Sequence, residues 1–246
     1  MFVYVGTFTG EGDQAKAKGI SVYRLDQETG ALSHVQTVED LNSPTFVALH
    51  PHKPFLYSVE RKWHDPARND GAVTAFSIDA QSGKLTLLNR QSSGGQSPAY
   101  VGVHPTGRYA FAANYGSGHV TAIPIGADGR LDEPTSVVHH QGKSTNPRRQ
   151  EGPHAHFITS DPSGQYVLSC DLGIDRVMIY RFNPEDGKLN PNDLPYAQVS
   201  SGAGPRHLAF HPSRRFVYVN NEIDSTLSAF AWDEARGTMT ILQTLS

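Results

Sequence analysis

A short passage recurs four times along this chain, and its spacing limits the fold more than any other feature. It reads Ser43-Pro44-Thr45-Phe46-Val47-Ala48-Leu49-His50-Pro51, then Ser97-Pro98-Ala99-Tyr100-Val101-Gly102-Val103-His104-Pro105. A looser copy occupies 152–162 and contains His154 and His156; a fourth, Gly204-Pro205-Arg206-His207-Leu208-Ala209-Phe210-His211-Pro212, closes the series. The equivalent residues His50, His104, Asp161 and His211 lie 54, 57 and 50 residues apart. Ten residues after each comes a carboxylate or an asparagine: Glu60, Asn114, Asp171 and Asn221. A period of this length, built only from strand-like runs, predicts propeller blades, since one blade cannot bury its apolar face alone.

Within a repeat the pattern predicts four strands. In the first full copy these are 45–49, 54–60, 72–78 and 84–89, rich in branched and aromatic residues and separated by Gly, Pro, Asp and Asn. A hairpin signal recurs before the fourth strand as Thr29-Gly30, Ser82-Gly83, Asp128-Gly129, Asp186-Gly187 and Arg236-Gly237. Two positions after each glycine stands Leu32, Leu85, Leu131, Leu189 or Met239, read as a side chain returned to the core. The stretch before the first full copy supplies three strands only. The expectation is therefore an all-β, single-domain propeller over 1–246, an arc of one incomplete and four complete blades.

Bulk properties narrow the function. A formal charge of −3 gives no basic field for nucleic acid. One cysteine, Cys170, permits neither an internal disulfide nor a multi-cysteine metal site. No apolar run approaches the roughly 18 residues of a membrane span, and no basic leader precedes Phe2, so a cytoplasmic protein with no membrane partner is expected.

Alternating strand direction puts the turns at His50, His104 and His211 on one face, where repetition suits a scaffold role. The opposite face varies between blades. There the inner strands begin with Thr45, Ala99, His156 and Arg206, and the second strands end at Glu60, Asn114, Asp171 and Asn221, with Glu222 beside the last. Arg61, Lys62 and His64 follow Glu60, and the loop 141–153 adds Lys143, Arg148 and Arg149. Such a mouth suits a small anion. Arg206 has two readings, a structural pair with Glu222 or Asp171 and a substrate contact. His154 and His156, two apart, would share a face on a regular strand, but no third ligand stands out and no metal is expected.

At these residues the chain resembles the seven-bladed propeller lactonases of the 6-phosphogluconolactonase type. The resemblance rests on Gly6-Thr7-Phe8-Thr9, Gly152-Pro153-His154-Ala155-His156, Cys170-Asp171-Leu172-Gly173-Ile174-Asp175-Arg176, Gly204-Pro205-Arg206-His207 and Val219-Asn220-Asn221-Glu222. It implies hydrolysis of 6-phosphogluconolactone, a small anionic sugar lactone, to 6-phosphogluconate in the pentose phosphate pathway without a cofactor. A related branch, the carboxymuconate cyclases, implies lactone formation instead, and a non-catalytic binding propeller is the third reading. By motif the resemblance carries catalytic roles onto His154 or His156, Arg206 and Glu222. Substrate contacts are expected from Glu60, Arg61, Asn114, Arg148, Arg149, Asp171, Arg176 and Asn221. Members of that family continue for about two further blades, which are expected to be lacking at the C-terminal side here.

Overall fold

The computed structural model describes residues 1–10, 17–63 and 67–246. Its strands pair as the punctuation of the sequence dictates, each with its chain neighbour and always antiparallel. The first sheet holds β1 (Phe2–Val5), β2 (Ile20–Leu25) and β3 (Leu32–Val38). The second holds β4 (Val47–Leu49), β5 (Phe55–Glu60), β6 (Ala72–Ile78) and β7 (Leu85–Ser92). In the third are β8 (Pro98–Val103), β9 (Tyr109–Asn114), β10 (His119–Pro124) and β11 (Ser136–His139). The fourth comprises β12 (Ala155–Ser160), β13 (Tyr166–Asp171), β14 (Arg176–Asn183) and β15 (Lys188–Gln198). The fifth comprises β16 (Pro205–Phe210), β17 (Phe216–Asn221), β18 (Leu227–Asp233) and β19 (Thr238–Leu245). No described helix is long and apolar enough to cross a membrane.

Successive side chains point to opposite faces, and β9 and β13 are buried at every residue because both of their faces are covered by neighbouring sheets. One cluster joins the first and second sheets through Ile20, Val22, Leu56 and Phe76. The next joins second and third through Tyr57, Val73, Val101 and Ile123. The third and fourth meet at Phe111, Ala122, Ile158 and Tyr180, and the fourth and fifth at Leu168, Ile179, Val219 and Phe230. At about 25 cal/mol per Å2 of apolar surface removed from water, these inter-sheet layers dominate the stability.

The repeated turns lock one blade to the next. His50 Nδ1 accepts the amides of His52 and Lys53, so its Nε2 carries the proton and donates to the Gly107 carbonyl of the following blade at 3.1 Å. His104 repeats this, accepting from Thr106 N and donating to Gly164 O at 3.0 Å. The hairpin glycines form a second lock. Gly129 has φ 83° and lies on the ring of Phe55 from the preceding blade; Gly187 and Gly237 lie likewise on Tyr109 and Tyr166. A side chain there would occupy the space of the ring.

Three expectations need correction. β4 starts at Val47 rather than 45. In the third sheet the hairpin around Gly129 contributes only an isolated Ile125–Leu131 bridge, and β11 begins at Ser136. Leu32 is 53% exposed, unlike Leu85, Leu131 and Leu189, because no described sheet lies on the side that buries the other three.

Candidate active site

Inner strands β8, β12 and β16 each open with a β-bulge. Pro98 pairs with Asn114 and Tyr100 with Ala113, leaving Ala99 as the extra residue. In the same way His156 is extra between Ala155 and Phe157, and Arg206 between Pro205 and His207. A bulge breaks alternation and re-aims side chains. Here it lets both Arg206 and its neighbour His207 face one cavity of about 540 Å3, together with His156, Thr45 and Ala99.

The polar wall of this cavity is a shared ion pair. Arg206 Nε donates to Glu222 Oε2 at 2.8 Å, and Arg149 Nη2 donates to Glu222 Oε1 at 2.5 Å and to Tyr115 Oη at 3.2 Å. Burial alone would raise the Glu222 carboxyl; the hydrogen bonds and charges of Arg149 and then Arg206 override it and hold it below the usual range. Of the two pairings expected for Arg206, the structure shows the one with Glu222 and not the one with Asp171, and the paired Arg206 lines the cavity. With Arg61 also present, the described cavity residues carry three cations against one carboxylate.

His156 and His207 sit side by side, ring centroids 5.1 Å apart. Burial, followed by the positive charge of Arg206, brings each down to about 4, so both are neutral at pH 7. His156 Nδ1 is buried without a hydrogen-bond partner. Behind these rings lies an aromatic stack: Phe46 against Tyr100 at 4.1 Å, Tyr100 against Phe157 at 4.3 Å, and Phe157 against His207 at 5.1 Å.

The other expected site residues lie elsewhere. His154 does not share the His156 position, because the bulge separates them. It stacks on Tyr115 at 4.6 Å, with the Tyr115 carbonyl and the Glu151 carboxylate at its two ring nitrogens. Glu60, Asn114, Asp171 and Asn221 are buried and line no part of the cavity. Each closes its own strand by bonding the loop that covers it, which removes it from a substrate's reach. Glu60 accepts from Asn42 N, Thr74 Oγ1 and Arg90 Nε; Asn114 donates to the carbonyls of Ser93 and His119. Asp171 takes His140 Nδ1 at 2.6 Å and the amides of His154 and Gly173; Asn221 donates to Thr226 and Ser228. Arg176 lies over the Tyr196 ring at 4.0 Å, and Arg148 is exposed, both away from the cavity. His64 lies outside the described residues.

Three contributors went unread in the sequence: His207, Tyr115 and Asp175. Asp175 is fully buried, and its carboxylate accepts from Gln150 Nε2, Gly202 N, Gly204 N and the Ser144 hydroxyl. It ties the loop bearing Arg149 to the chain leading into Arg206. Its place inside the 170–176 motif was the available signal. Among the described residues no group of three or more His, Cys, Asp or Glu is arranged to hold a metal ion.

A family model described as "Lactonase, 7-bladed beta-propeller" matches residues 2–246. A 6-phosphogluconolactonase of Bacillus subtilis (strain 168) is 37% identical over 243 residues, 99% of this chain and 66% of its own length. A 6-phosphogluconolactonase of Pectobacterium carotovorum is 33% identical over 94% of this chain and 63% of its own. The structure of the Pseudomonas aeruginosa periplasmic gluconolactonase PpgL matches with a TM-score of 0.88 and 31% identity, over 98% of this chain and 66% of that one. The chain therefore spans slightly less than two thirds of the length of these relatives. With the repeat, the five antiparallel sheets and a match along almost every residue, the chain belongs to the lactonase family of seven-bladed β-propellers.

Proposed function

We propose that this cavity hydrolyses a sugar lactone, in the first place 6-phosphoglucono-1,5-lactone, giving 6-phosphogluconate in the cytoplasmic pentose phosphate pathway. The carrying observation is a neutral, internally unpartnered imidazole, His156, next to an arginine in a cavity with excess positive charge. The relatives named 6-phosphogluconolactonase support the substrate.

In this mechanism His156 takes a proton from water as the water oxygen attacks the lactone carbonyl, and the carbonyl oxygen becomes an oxyanion beside Arg206. Glu222 keeps Arg206 in place through the 2.8 Å bond. The tetrahedral intermediate then collapses, the ring carbon–oxygen bond breaks, and the imidazolium returns its proton to the leaving ring oxygen. No covalent enzyme intermediate is formed. A conjugate acid with a pKa of about 4 is a ready donor in that second step. Replacing His156 with Ala is expected to lower kcat/KM about 100-fold or more, the usual yield of general acid–base catalysis. Arg206→Ala should cost about the same through the oxyanion. The check is hydrolysis of freshly prepared lactone, corrected for its spontaneous rate; parental rates in both variants would end this reading.

A further inference from the structure

The proposed substrate carries a phosphate away from its neutral lactone carbonyl, and the two arginines beside His156 are already engaged by Glu222. Arg61 is different. It lines the reaction cavity and also two adjoining cavities, one of about 790 Å3 and one of about 400 Å3. Lys62 lines both of the adjoining cavities. Among the described residues neither cation has an ion-pair partner, although Arg90 has Glu60 and Arg68 has Asp70. The Arg61 guanidinium lies 5.5 Å from the centroid of Phe8, a contact that leaves its fork of N–H donors free.

The repeat supplies a comparison within the molecule. Ser43 and Ser97 are equivalent, and both hold a positive φ of 48° ahead of a proline. The Ser43 hydroxyl donates to the Thr9 carbonyl and accepts from the Thr9 amide. The Ser97 hydroxyl has no such partner, and Ser97 shares all three cavities with Arg61. Two unpaired cations and a free hydroxyl therefore meet at one junction, beside the reaction cavity.

We infer that Arg61, Lys62 and Ser97 form a phosphoryl-binding subsite that selects lactones bearing a phosphate away from the reacting carbonyl. This rests on the lactonase reading for the neighbouring cavity. The guanidinium fork suits two phosphate oxygens, the ammonium adds a point charge, and the hydroxyl donates a third bond. The reaction cavity alone accepts the unphosphorylated sugar lactone; the subsite turns that into a preference.

The test compares 6-phosphoglucono-1,5-lactone with glucono-1,5-lactone. In the Arg61→Ala/Lys62→Ala double variant, the ratio of kcat/KM for phosphorylated over unphosphorylated lactone should fall about 10-fold or more. Lys62→Ala alone, at an exposed residue that leaves the fold intact, should lower the same ratio less. Calorimetric titration with 6-phosphogluconate and with gluconate reads the subsite without turnover. Parental binding of 6-phosphogluconate that disappears in the double variant supports the subsite even if neither lactone is hydrolysed, in which case the hydrolytic reading alone falls. An unchanged ratio, an equal loss for both lactones, or a parent that does not bind 6-phosphogluconate would overturn the subsite.

Discussion

His156 sits in an environment that keeps it free of a proton far below the usual imidazole range, first by burial and then by the Arg206 charge. In kcat/KM, which reports the free enzyme, the base form should persist down to about pH 5 and titrate only toward about 4. An ordinary imidazole would instead lose activity through about pH 6.5. Arg206→Gln removes one source of the depression, so the residual activity of that variant should titrate at a higher pH than the parent. A pH–rate profile of both proteins checks the sign. His156 and Arg206 were legible because equivalent positions of the repeat hold Thr45 and Ala99, and a charged side chain in such a register stands out. His207 was not, because regular alternation aims neighbouring side chains to opposite sides and nothing in the letters announces a bulge. Glu60, Asn114, Asp171 and Asn221 were placed at the correct strand ends, but which loop folds over each is a tertiary fact.

The geometry of the candidate site depends on elements held by a buried carboxylate. Asp175, in a left-handed conformation with φ 56°, ends a short 3-10 turn (Leu172–Ile174) that Asp171 caps at its start. The two aspartates thereby fix the chain on either side of that turn, one toward His154 and the other toward Gly204. Asp175→Ala would leave two backbone amides, an amide side chain and a hydroxyl without their acceptor, at a cost of about 3 kcal/mol or more. Urea unfolding should show that loss. Where the variant still folds, kcat/KM should also drop, because the Arg149 loop and the Arg206 strand lose their common tie. The strands themselves were readable from turn residues and from the spacing of glycines. The rings beneath those glycines were not: Phe55, Tyr109 and Tyr166 look like ordinary strand residues until the next blade is laid against them.

Among the described residues five histidines, His50, His104, His119, His156 and His207, have pKa values below 6.5 in the folded state, with burial the leading cause in each. As pH falls below about 6.5 the unfolded chain binds protons that the folded chain refuses, so stability declines. For His156 and His207 the decline runs to about pH 4, where the folded state also takes up protons. Glu60 and Glu222, both depressed, stabilise fully above about pH 4.5 and add their own loss below it. Melting temperature should therefore fall continuously from pH 6.5 downward, and a His156→Gln/His207→Gln variant should show a shallower slope between 6.5 and 4.5. Architecture was the most legible level, since a period of about fifty residues has few solutions. The aromatic stack of Phe46, Tyr100, Phe157 and His207 has a kinetic meaning at this level. Rings contributed by four successive blades pack side by side at the cavity, with Phe46 and His207 in its wall, so on the proposed reading a ligand does not leave through that wall. If the cavity hydrolyses a lactone as proposed, acid still seated on Arg61, Arg149 and Arg206 would hold the place of the next ester, and turnover at high product concentration would become a matter of queueing.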